Sequence, residues 1–185
     1  MIVAVEGLDG AGKTIVGQAL AERLDATYMT LPPAELALRD SAIFRRHDSL
    51  ARYLHYLSGV ASIMEAALSG GLIVADRFVA SAHALHLHVP GPAARSLRNL
   101  DWVSADITFF LDVDETERRA RLARRPRPLD PFERALNDDD EFRAAVSGHL
   151  RSYAGTHVVD TTGRPPEAIV SELVDIWNSE IGGAE

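Results

Sequence analysis

At 185 residues with 46% hydrophobic content, the chain has the size of one compact folding unit able to bury a substantial core. A formal net charge of −8 and a pI near 5.3 exclude a general nucleic-acid binder, which needs a basic stripe to displace counterions from a phosphate backbone, so any phosphate site must be local. The absence of cysteine excludes a disulfide framework and a thiolate zinc site and predicts a cytoplasmic setting, and no apolar run approaches the roughly 20 residues that span a bilayer.

The N-terminal apolar run, residues 2–6, enters a glycine-rich segment directly, which predicts a buried strand and argues against a secretory signal. Helical periodicity follows over residues 14–24. A second strand is expected over 26–31, stopped by Pro32-Pro33, with a short helix over 34–39. A long helix over 49–68 ends at Ser69-Gly70-Gly71, and the apolar residues 72–75 form a strand leading into Asp76-Arg77. Helices are expected over 81–88 and 93–102, a strand over 107–113, an arginine-rich helix over 115–125 and another helix over 141–153. A strand over 156–160 and an amphipathic helix over 167–181 complete the chain. This alternation predicts an α/β fold: a five-stranded parallel sheet with helices on both faces and ligands outside the carboxyl ends of its strands.

Gly7-Leu8-Asp9-Gly10-Ala11-Gly12-Lys13-Thr14 has the G-x-x-x-x-G-K-[ST] spacing between a strand and a helix. Its glycines let backbone N–H groups converge on phosphate oxygens, Lys13 reaches the β and γ phosphates, and the Thr14 hydroxyl ligates Mg²⁺. Lys13 is the only lysine beside eighteen arginines, as expected where a compact ammonium fits and a planar guanidinium does not. Asp76 at a strand end suits a metal shell, with the Arg77 guanidinium beside it for phosphate. Arg118, Arg119, Arg121, Arg124, Arg125 and Arg127 crowd one short stretch, the composition of a lid that brings charge onto a transferring phosphoryl group; Arg121, Arg124 and Arg125 are the expected catalytic set. The acidic run Asp138 to Glu141 reads as a helix cap, and His83, His86 and His88 read as pocket-lining or solvent-facing rather than metal-binding.

These residues resemble the thymidylate kinase family. The resemblance rests on Val5 to Thr14, on Asp76-Arg77-Phe78-Val79-Ala80-Ser81, on Phe110-Leu111-Asp112-Val113, on the arginine-rich segment with Asp130 and Phe132-Glu133, and on Val159-Asp160 before Gly163. It implies a P-loop kinase fold in one domain with a lid at about residues 121–134, a small-molecule nucleotide acceptor, ATP as donor with Mg²⁺, and a homodimer. Asp9 would contact Mg²⁺ or the acceptor sugar, Asp76 would hold the metal and Arg77 the acceptor phosphate. The acceptor pocket departs from the family's pattern at Leu31-Pro32-Pro33, at Tyr56-Leu57-Ser58-Gly59 and at Leu85-His86, so Ser81, Tyr53, Tyr56 and Arg52 become its candidate residues. The expected reaction is phosphorylation of thymidine monophosphate. The alternatives are a related kinase acting on another nucleotide, nucleoside or small metabolite, and a nucleotide-binding regulator. A guanine-reading Asn-Lys-x-Asp sequence is impossible with Lys13 as the sole lysine.

Overall fold

The computed structural model describes residues 1–32 and 48–182. Five strands, β1 (Ile2–Gly7), β2 (Thr27–Thr30), β3 (Ile73–Asp76), β4 (Ile107–Asp112) and β5 (Thr156–Asp160), form one parallel sheet in the order β2-β3-β1-β4-β5. The helices are α1 (Lys13–Arg23), α2 (Leu50–Leu68), α3 (Val79–Ala84), α4 (Pro92–Arg98), α5 (Glu115–Ala123), α6 (Pro131–Asp138), α7 (Asp140–Ser152) and α8 (Pro166–Glu180). The short helix expected over 34–39 lies outside the described residues.

The pleat of β1 divides the core. Val3 and Val5 face a cluster that takes Val16 and Leu20 from α1 and Ile169, Leu173 and Trp177 from α8. Ile2 and Ala4 face a second cluster containing Tyr53, Val60 and Ile63 of α2 and Phe142, Val146 and Leu150 of α7. Alternate residues of a central strand thus bury both faces, as a parallel sheet covered by helices requires. The register sets Asp76 beside Val5 of β1 and Thr30 of β2, so the carboxyl ends of three strands lie together.

Several boundaries differ from the sequence reading for local reasons. The strand expected over 72–75 runs one residue further and includes Asp76. The helix expected over 81–88 starts earlier, at Val79, because the Glu6 carboxylate accepts hydrogen bonds from the N–H groups of Phe78 (2.9 Å) and Ser81 (3.2 Å) and so caps its start from another strand. The helix expected over 93–102 starts at Pro92, whose fixed φ suits the first helical position, and closes at Arg98. The arginine-rich helix ends at Ala123, leaving Arg124 at its cap and Arg125 beyond. Helix α6 was not expected at all. Its signal is present as Asp130-Pro131-Phe132-Glu133, a reciprocal capping box in which Asp130 accepts from the Glu133 N–H (2.8 Å) and Glu133 accepts from the Asp130 N–H (2.9 Å). The acidic run after it behaves as read: Asp139 caps α7 by accepting from the Phe142 N–H.

The three histidines near α3 do not converge. His83 packs edge-on against Tyr53 and Trp102, His86 stacks on Tyr53 with ring centroids 5.0 Å apart, and His88 meets Phe142. Among the described residues no group of three or more His, Cys, Asp or Glu side chains could hold a metal ion. Burial lowers the pKa of His83 to about 4 and depresses His86 and His149 as well. The unfolded chain binds protons at these positions near pH 6.5 while the folded chain does not, so their stabilisation is present above that pH and is lost as pH falls toward about 4. Unfolding by urea should therefore show stability dropping by up to about 1.4 kcal/mol per pH unit for each such histidine below pH ~6.5, with a shallower fall in His83→Phe. A pH-independent midpoint between pH 7 and 5 would contradict this assignment.

Candidate active site

The loop after β1 is shaped to receive an anion. Gly10 and Gly12 hold φ near +94° and +96°, where side chains other than glycine are strained, and a Cβ on Gly10 would sit 3.0 Å from the carbonyl oxygen of Arg118. α1 begins at Lys13 with no side-chain cap and no acidic residue in its first turn. Its first N–H groups and the positive end of its dipole are thus left for an external acceptor. The Lys13 ammonium folds back over the loop, donating to the Leu8 carbonyl (2.9 Å) and lying 3.7 Å from Asp9. Burial, reinforced by the Arg77 guanidinium, lowers its pKa to about 8 despite the opposing pull of Asp9, Asp76 and Glu6.

A second layer begins at Asp9. Arg77 donates to its Oδ1 at 2.6 Å, and the pair is almost wholly buried. Burial alone would raise the Asp9 pKa, but Arg77 and Lys13 outweigh it and hold the carboxyl well below the usual range. The same partnership holds Arg77 firmly charged, with Asp9 and Asp76 overcoming its own burial. Arg77 also donates to Ser81 Oγ (3.1 Å), and the Ser81 hydroxyl donates to Glu6. Its backbone sits at φ +73°, a left-handed conformation that costs a non-glycine residue roughly 1–2 kcal/mol, and its N–H is tied to the Val5 carbonyl. Glu6 is buried, with its pKa raised by burial against the pull of Ser81, Phe78 and Arg77. Sequence reasoning passed over Glu6, although a carboxylate inside an otherwise apolar strand is its signal.

Asp76 Oδ2 accepts from the Thr14 hydroxyl (2.7 Å) and from the Tyr28 hydroxyl (2.9 Å). Thr14 and Asp76 together present hard oxygen donors beside the phosphate loop, the chemistry Mg²⁺ prefers.

A cavity of about 760 Å³ joins these groups to a second region: Asp9, Lys13, Thr14, Asp76 and Arg77 line one part, Thr30, Leu31, Arg52, Tyr56 and Leu85 another. Ser81 acts behind Arg77 instead of lining the cavity. Tyr53, expected to touch substrate, is fully buried against His86 and Ile63's cluster, one residue off the face of α2 that Arg52 and Tyr56 present. Arg52 donates to the Tyr56 hydroxyl (3.2 Å), meets His86 Nε2 at 3.3 Å, and its Cζ lies 3.3 Å from the centre of the Phe132 ring.

The arginine cluster divides its work. Arg118 is buried, donating to the Asp9 carbonyl (3.0 Å), to Asn137 and to Glu115, so it ties the phosphate loop to α5 and α6. Arg119 pairs with Glu115 at the surface. Arg121 donates to the Thr161 carbonyl (2.8 Å) and approaches the Ala11 carbonyl. Arg124 is exposed on the cavity wall, while Arg125 and Arg127 both pair with Glu133. The expected set of Arg121, Arg124 and Arg125 thus shares the cavity rim.

The family model for thymidylate kinase matches residues 5–173, and the chain belongs to that family of phosphoryl-transfer enzymes. Among its relatives are a probable thymidylate kinase of Pyrobaculum calidifontis, 28% identical with 95% of each chain covered, and a thymidylate kinase of Halorhodospira halophila, 29% identical with 82% of this chain and 80% of that one covered. In fold the chain is similar to the thymidylate kinase of Candida albicans (TM-score 0.67, 18% identity, covering 96% of this chain and 91% of that one) and to a deoxyadenosine kinase of M. mycoides (TM-score 0.67, 16% identity, 96% and 99%).

If Lys13 receives a triphosphate, its depressed pKa predicts a pH-dependent affinity: the bound anion would favour the ammonium form, so affinity would be full below about pH 8 and would fall by up to about tenfold per pH unit above it. Titration calorimetry with an ATP analogue from pH 7 to 9.5 should show this fall in the native chain and lose it in Lys13→Ala.

Proposed function

We propose that this protein transfers the γ-phosphoryl group of ATP to thymidine monophosphate, yielding thymidine diphosphate and ADP. The observation that carries the reading is the Arg77 guanidinium, fixed between Asp9 and Ser81 in a cavity it shares with the uncapped loop of Lys13. Two anion-seeking groups thus face one space, as transfer between two phosphates demands. The relatives' names favour thymidine monophosphate over the other acceptors raised by Leu31-Pro32-Pro33 and Leu85-His86.

Residues Gly7, Leu8, Gly10, Ala11, Gly12 and Lys13 hold the donor phosphates. Thr14 and Asp76 hold Mg²⁺, which when bound neutralises charge on the β and γ phosphates. Arg77 grips the acceptor phosphate, Asp9 keeps Arg77 charged and aimed while facing the acceptor sugar, and Ser81 positions Arg77 from behind. Tyr56 and Arg52 border the acceptor. Residues 121–134 act as a lid on a single domain, with Arg121, Arg124 and Arg125 meeting the transferring group as charge builds. Two further readings come from the family resemblance and the composition: a homodimer, for which the exposed Leu54 and Leu68 on α2 offer apolar surface, and a cytoplasmic location.

Thymidine monophosphate should raise the thermal midpoint in the presence of Mg²⁺ and a non-hydrolysable ATP analogue, since a ligand at 100 times its dissociation constant contributes about 2.7 kcal/mol. Adenosine and cytidine monophosphates should shift it less. Replacing Arg124 and Arg125 together with alanine should lower kcat by roughly 10³-fold while ATP affinity is nearly unchanged, because their charge is needed mainly in the transition state. Equal losses in both would sink the lid assignment.

A further inference from the structure

Asp76 is held by a residue outside every phosphate-binding motif. Tyr28 stands on β2 in register with Val74, and Thr30 is in register with Asp76, so Tyr28 and Asp76 share a sheet face and are diagonal neighbours. The phenol reaches along the strand and donates to Asp76 Oδ2 at 2.9 Å, the same oxygen that accepts from Thr14 Oγ1 at 2.7 Å. Oδ1 is left without a hydrogen-bond donor among the described residues, while Asp76 lines the cavity.

A second observation bears on the same ring. Gly17 lies inside α1, where glycine costs about 1 kcal/mol relative to alanine. A Cβ there would fall 3.0 Å from Tyr28 Cε2 and 3.7 Å from Cδ2. Alanine at this helical position would require the Tyr28 ring to give by a few tenths of an ångström, so the missing side chain leaves room for the ring where it reaches Asp76.

We propose that Tyr28, admitted by Gly17, is a positioning residue that clamps one oxygen of Asp76 and so presents the other to the divalent cation carried with the triphosphate. The proposal rests on the reading of Thr14 and Asp76 as the cation's holders. A carboxylate turns about two side-chain torsions, and a donor fixed on a strand removes that freedom before the cation arrives. Thr14 donates its single proton to the same oxygen and keeps its lone pairs for the cation, so Tyr28 adds a second donor that has no duty to the cation. Hydrogen-bond partners of ligating carboxylates generally influence metal affinity by 10- to 100-fold.

The test uses Mn²⁺ as the probe. Free Mn²⁺ is measured by electron paramagnetic resonance during titration into the full chain saturated with a non-hydrolysable ATP analogue, and metal-free nucleotide affinity is measured alongside. Tyr28→Phe, which keeps the ring and removes only the hydroxyl, should weaken Mn²⁺ binding by roughly 10- to 100-fold and leave metal-free nucleotide affinity unchanged. Gly17→Ala should weaken Mn²⁺ binding in the same direction, and adding it to Tyr28→Ala should cost nothing further, since both act through one contact. Native Mn²⁺ affinity in folded Tyr28→Phe, with Asp76→Asn strongly impaired, would overturn the role of Tyr28 alone. Native affinity in Asp76→Asn would overturn the reading of Asp76 and this proposal with it.

Discussion

The buried ion pair between Asp9 and Arg77 is the constraint on which the rest of the site depends. Separating either charge from its partner would leave it largely desolvated with only more distant counter-charges, Lys13 for Asp9 and Asp76 for Arg77, so the 2.6 Å contact strongly constrains both side chains. The chain places them at the ends of adjacent strands: Asp9 two residues beyond β1, Arg77 one residue beyond β3. Joining them therefore joins the loop after β1 to the end of β3, the proposed acceptor side. The left-handed backbone at Arg77 is the local cost of aiming the guanidinium, and the N–H tie to Val5 together with the Glu6 and Ser81 bonds holds it there.

From this pair, two sets of contacts extend outward with different physical characters. Toward the donor, backbone groups dominate: an uncapped helix start and glycines in conformations that expose N–H groups. Toward the acceptor and the rim, guanidinium groups dominate, each held by a different kind of partner. Arg52 rests on aromatic rings and neutral acceptors, with His86 Nδ1 donating to the Ala82 carbonyl so that Nε2 is left to accept from Arg52. Arg118 is locked by a carbonyl, an amide and a carboxylate. Arg125 shares Glu133 with Arg127, and because Glu133 also closes the capping box of α6, movement of these arginines and the stability of that helix are linked through one carboxylate.

The sheet and the donor half were legible in the sequence because their signals are local. A strand, an eight-residue motif that bridges strand end, loop and helix start, and a helix follow one another, and each has a pattern that needs no distant partner to be read. Asp76 and Arg77 were legible for the same reason, as a charged pair ending an apolar run. The acceptor half was not, since Tyr53 and Tyr56 look alike in sequence and only the rotation of α2 decides which faces the cavity. Glu6 was passed over, and Arg118 was read only as one of the lid arginines, because their partners lie far along the chain: Glu6 meets Phe78 and Ser81, and Arg118 meets Asp9. Helix α6 was missed although its capping box is written in four consecutive residues, because the segment was read only as part of an arginine-rich lid.

The most direct measurement is ADP release from ATP and Mg²⁺ across a panel of nucleoside monophosphates, with the product of each reaction identified. The account predicts rapid turnover with thymidine monophosphate, formation of thymidine diphosphate, and loss of both in Arg77→Ala protein that still binds ATP. Native protein that binds ATP and transfers phosphate to none of the monophosphates would contradict it.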